Sequence, residues 1–114
     1  MRSGWLLRDD GDVVCALEMT DTWAERWRGL RGRPNWDGGL HLDGARGLHT
    51  AGMRFSLDVA LLSGDLEVLA VVRMRPWRMC VPRRGARSMV ISEAGCLERW
   101  GVRVGDKLVI REVS

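Results

Sequence analysis

FSLDVALLSGDLEVLAVVRMR, residues 55–75, holds the strongest structural signal in the chain. Two apolar runs flank Ser63-Gly64-Asp65, the composition of a tight turn between antiparallel strands. In the first run, period-2 alternation sets Leu57, Val59 and Leu61 on one face and Asp58, Ala60 and Leu62 on the other. The second run predicts an unbroken apolar face of Leu66, Val68, Ala70, Val72 and Met74, and an opposite face that turns polar at Arg73 and Arg75. This is the clearest hairpin in the chain, with one face wholly apolar.

Working outward, more short strands follow. Asp9-Asp10-Gly11 separates the strand-like runs 4–8 and 12–18, and in the second of these Val13, Cys15 and Leu17 share a face. Leu40 and Leu42 alternate around His41 inside an irregular connection over 31–47. Ser88–Glu93 and Lys107–Val113 complete the set, the last after the turn at Val104-Gly105-Asp106. Two short helices are expected. At 22–30, Thr22 and Glu25 form a capping box, and Trp23, Trp27 and Leu30 form an apolar stripe. At 94–100, a turn or two stops at Gly101. Many short strands, glycine turns and little helix predict a mainly β fold, a single-domain β-sandwich or barrel spanning 1–114.

Composition bounds the function. The 114 residues suit one domain, and the formal charge of +3 is mild but uneven. Arg73, Arg75, Arg78, Arg83, Arg84 and Arg87 fall in fifteen residues without an acid. A solvated surface is the default reading of such a run, and an anionic partner the functional one. Cys15, Cys80 and Cys96 have no CxxC spacing, which argues against a zinc cluster or a disulfide framework. Cys15 reads as a buried small hydrophobe. The N-terminus lacks the apolar core of a signal peptide, no segment has membrane-span length, and free thiols suit a reducing compartment; a cytoplasmic protein is expected.

An ordered set of motifs adds to this: ERWRGLRGRP, then HTAGMRFSLDVALLSGDLEVLAV, RPWR, VISEAG and GVRVGDKLVI. The set resembles the prokaryotic family catalogued as domain of unknown function 192, from about Ala16 to Ile110. The resemblance implies a mainly β, jelly-roll-like domain with a small helical element, and it implies no activity. Gly29-Leu30, His49-Thr50, Met53, Phe55, Leu57, Asp58 and Gly105-Asp106 match its motifs. Ser56 replaces a common proline, and Ser92-Glu93-Ala94-Gly95 replaces a Leu-Glu-Leu-type run.

Asp58 carries the sharpest chemical question. A carboxylate between Ala60 and apolar neighbours is half-sunk in the sheet and needs donors, from Arg54, one of the clustered arginines, His49 or backbone amides. A structural anchor is the favoured reading and a general base the alternative. His49 could pair with it in a metal-independent lyase- or isomerase-like site, with Thr50, Ser56 or Cys80 as weaker nucleophile candidates. No cofactor is expected. For a metal, His41, His49 and Glu93 would have to converge in space, and none is expected. The leading expectation is a non-enzymatic β domain whose surface of His49, Arg54, Asp58, Arg75 and Trp77 binds an anionic ligand or a protein partner. The remaining alternative is sequence-independent nucleic-acid binding through the 73–87 arginines and Trp77.

Overall fold

The computed structural model of the chain describes residues 2–20, 38–44, 48–53, 55–79 and 83–113. The helix expected at 22–30, Arg54 and Cys80 lie outside these residues. Seven strands are seen: β1 (Arg2–Arg8), β2 (Val13–Thr20), β3 (Gly39–Asp43), β4 (Leu57–Leu62), β5 (Val68–Met74), β6 (Ser88–Glu93) and β7 (Leu108–Val113). One helical turn, α1 (Cys96–Arg99), follows β6, capped by Gly95 in the left-handed region. The protein is mainly β, with one mixed seven-stranded sheet ordered β5-β4-β6-β3-β2-β1-β7. Among the described strands only the β2–β3 pair is parallel.

Alternation explains why the middle of this sheet is buried on both faces. Leu57, Val59 and Leu61 of β4 join Leu40, Leu42, Met89 and Ile91 in one core, closed by Leu48, Met53 and Ala86 from the connections. Ala60 and Leu62 face the second core, with Leu6, Leu17, Val90, Leu97 and Leu108. Burying each large aliphatic side chain is worth about 1.5–3 kcal/mol.

The expected unbroken face on β5 is corrected. Ala70, Val72 and Met74 face the first core, but Leu66 and Val68 pack in the second. The cause is a register shift between Leu61 and Leu62, which pair with Ala70 and Val68 and leave Leu69 as the extra residue of a bulge.

The ends of the sheet approach each other. Glu67 bridges Lys107, Val68 N–H donates to the Asp106 carbonyl at 2.8 Å, and Leu108 N–H donates to the Leu66 carbonyl at 3.0 Å. Strands from both ends therefore share the second core. Arg8 ties this seam to α1, its Nη2 donating to the Trp100 carbonyl at 2.6 Å and its Nη1 to Asp106 Oδ2 at 3.2 Å. Cys15 lies in this core, where burial first and then the neighbouring Cys96 push its thiol up to about 12, so it stays neutral and unreactive.

Gly4 permits the close approach of β7 to β1. A Cβ there would run into the Arg111 backbone carbonyl and come within 2.8 Å of Met19 Cε. Gly4→Ala should cost about 2 kcal/mol in urea unfolding, because backbone is less able to yield than a side-chain tip. No helix among the described residues is long and apolar enough to cross a membrane.

Candidate functional site

Register decides what surrounds Asp58. On β4 it stands opposite Arg73 of β5 on one side and Ser92 of β6 on the other. The residue is only 4% exposed, so its charge depends on local donors. Arg73 Nε donates to Oδ1 at 3.0 Å, and Gly95 N–H donates to Oδ2 at 2.7 Å. Gly95 has φ 94, a conformation that turns its amide towards the carboxylate at little steric cost. Ala94 N–H adds a bond to the Ser56 carbonyl at 3.2 Å. The hydrogen bond and charge of Asp58 together hold the Arg73 guanidinium above its ordinary pKa. Asp58 thus joins β4, β5 and the start of α1 at one corner.

A separate cluster forms around Thr50, which is fully buried. Its hydroxyl donates to the Arg75 carbonyl at 2.6 Å and accepts from Arg78 N–H at 2.9 Å. Its backbone N–H donates to the Arg78 carbonyl at 2.9 Å, and its carbonyl accepts from Trp77 N–H at 2.9 Å. One threonine therefore pins the whole 75–78 turn. Trp77 sits there at φ 60 with its side chain outward, and the residue is 69% exposed. Arg75, Arg78 and Met79 are exposed beside it, and His49 bridges Met79 through the backbone.

The structure therefore divides the candidate residues. His49, Arg75 and Trp77 come together at the Thr50 turn. Asp58 stands apart, because Leu48 and Met53 on either side of that turn enter the first core, while Asp58 is on the opposite face of β4 from Leu57 and Val59. An open hollow adjoins Asp58, and His49 is not among its lining residues. Thr50 has a committed hydroxyl in a sealed place, which suits a pin better than a nucleophile. His41 is buried on β3, paired with Val90, whereas His49 is exposed. Among the described residues no group of three or more His, Cys, Asp or Glu is placed to hold a metal ion.

The roles of two residues escaped the sequence reading. Arg73 was visible only as one of the clustered arginines, and the bulge that brings it opposite Asp58 has no marker in the sequence. Thr50 as a pin left no signal, since its partners are main-chain groups.

A small mainly β protein with a buried acid–arginine corner and a pinned, arginine-flanked aromatic turn is the class these features define. The chain belongs to DUF192, described as an uncharacterized ACR, whose family model matches residues 6–110. A UPF0127 protein of Thermococcus sibiricus is 30% identical over 100 residues, covering 81% of this chain and 64% of that protein. A UPF0127 protein of Pyrococcus furiosus is 38% identical over 61 residues, covering 54% of this chain and 53% of that protein. The matched stretch thus spans between about half and two-thirds of these relatives' length. Two crystal structures share the fold. A proposed transcription regulator of Sinorhizobium meliloti has a TM-score of 0.75 and 20% identity, covering 96% of this chain and 92% of that one. A protein of unknown function from Novosphingobium aromaticivorans has a TM-score of 0.71 and 19% identity, covering 94% and 83%.

Proposed function

We propose that this chain is a non-enzymatic binding module that presents the Thr50-pinned turn to an anionic ligand or protein partner. The observation that carries this reading is Trp77. A tryptophan in the left-handed region costs about 1–2 kcal/mol, and leaving its ring in water forgoes the burial that would offset that cost. Strain of this kind persists where surrounding bonds over-determine it, and here Thr50 supplies them. Arg75 and Arg78, exposed on the same turn, add positive charge, which favours an anionic partner. The curled sheet and its closing hydrogen bonds support the barrel form of the expected sandwich-or-barrel architecture, and one unit across 1–114.

The test is a pair of substitutions on the exposed turn. Trp77→Gly relieves the backbone strain, so stability should stay level or rise by up to about 1 kcal/mol. Binding to an acidic peptide such as a glutamate-rich decamer should fall at least about tenfold. Arg75→Ala should weaken the same peptide with nearly unchanged Tm, since only the Arg75 carbonyl is used by Thr50. A Tm loss of several degrees in either variant would make the turn structural.

A second reading has one observation in its favour. An exposed indole between arginines is also a stacking platform for single-stranded nucleic acid. The Sinorhizobium meliloti protein, described as a proposed transcription regulator, fits that direction without extending its role to this chain. Tight, steeply salt-dependent binding of an oligo-dT strand that outcompetes the acidic peptide would favour it. The lyase- or isomerase-like reading needs Asp58 and His49 at one cavity, and the arrangement gives it no support.

A further inference from the structure

The hollow beside Asp58 lies on the opposite face of β5 from Met74, away from the Thr50 turn. Its volume is about 570 Å³, and Val71, Arg73, Glu98, Val102 and Arg103 line it together with Asp58. That size falls within the range of roughly 300–1,000 Å³ usual for small-molecule sites.

Its chemistry is more particular than a charged surface. Asp58, itself buried and held by the Gly95 amide, fixes Arg73 through Nε alone. The guanidinium cannot swing freely, yet its side chain is 55% exposed, which leaves both Nη groups for a ligand. Arg103 begins from a fixed base, because its N–H donates to Asp106 Oδ2 at 2.9 Å. Glu98 is close enough to act on the charge of Arg73. Val71 and Val102 supply the apolar part of the lining.

With the Asp58 charge spent on Arg73, the walls offer guanidinium donors and a carboxylate. A simple anion would meet Glu98, and a simple cation would meet two arginines. From this combination we infer that the hollow binds a free α-amino acid with an apolar side chain. The carboxylate would lie against Arg73 and Arg103, the ammonium against Glu98, and the side chain along Val71 and Val102. This inference is independent of the partner proposed for the Trp77 turn.

Titration of the intact chain with free leucine, methionine, valine and phenylalanine tests it, alongside N-acetyl-leucine, leucinamide and inorganic phosphate. At least one free amino acid should bind saturably with millimolar or better affinity and raise Tm with its concentration. N-acetyl-leucine lacks the ammonium and leucinamide the carboxylate, and both should bind at least about tenfold more weakly. Arg103→Ala and Glu98→Gln should each remove about tenfold or more of that affinity while leaving the Tm of the unliganded protein unchanged. The inference is overturned if no free amino acid binds at about 10 mM. Phosphate or N-acetyl-leucine binding as tightly as the best amino acid would overturn it too, as would affinity unmoved in both variants.

Discussion

Asp58→Ala should destabilise the protein by about 2–3 kcal/mol, a Tm loss on the order of 10 °C. Part of this comes from the Gly95 amide, which loses its acceptor at a partly buried position. Arg73 contributes less, because a half-exposed guanidinium released from its partner is re-solvated. Asp58→Asn should fall between wild type and alanine, since the amide oxygen can still accept from Gly95 but the NH₂ group meets another donor in Arg73. Urea unfolding of the three proteins settles the matter. An alanine variant within about 0.5 kcal/mol of wild type would show that Asp58 does not hold the corner.

Thr50→Val is the second large effect, at about 2 kcal/mol. Valine nearly preserves the shape of threonine but removes the hydroxyl, leaving the Arg75 carbonyl and Arg78 N–H without their shared partner. The turn should loosen and Trp77 relax out of the left-handed region. Affinity for the acidic peptide would then fall although every contacting side chain is unchanged, and Thr50→Ser should restore both stability and binding. Retained affinity in a destabilised valine variant would separate the pin from the binding surface and remove the proposed role of strain.

How far the site was legible follows from which atoms make it. The β4 alternation was readable, and so was the need of Asp58 for donors, because side-chain polarity alone sets both. The kinds of donor were readable, an arginine of the cluster and a backbone amide, but which residues supply them was not. Symmetric pairing about Gly64 would place Ala70 opposite Asp58. In the structure Leu66 takes a positive φ of 62 in a wider turn, and the bulge at Leu69 adds another step. Together they slide Arg73 into place, so a single-residue irregularity selects the partner of the acid. Gly95 and the carbonyls around Thr50 act through the main chain, which has no signature in composition. The strand set at 88–93 and 107–113 was readable from turns and alternation, whereas the parallel β2–β3 pair depends on which strands become neighbours across long separations.

The pairing of β1 with β7, from Ser3 opposite Val113 to Arg8 opposite Leu108, has a kinetic side. The β1–β2 and β4–β5 hairpins join residues near in sequence, so they can form within microseconds. The β1–β7 ladder must first close a loop over nearly the whole chain, and ordering of that length slows folding towards the millisecond-to-second regime. During synthesis, the edge of β1 that meets β7 is therefore unpaired until β7 has left the ribosome. Gly4, which lets β7 lie so close, then governs a late step of assembly as well as the stability of its product.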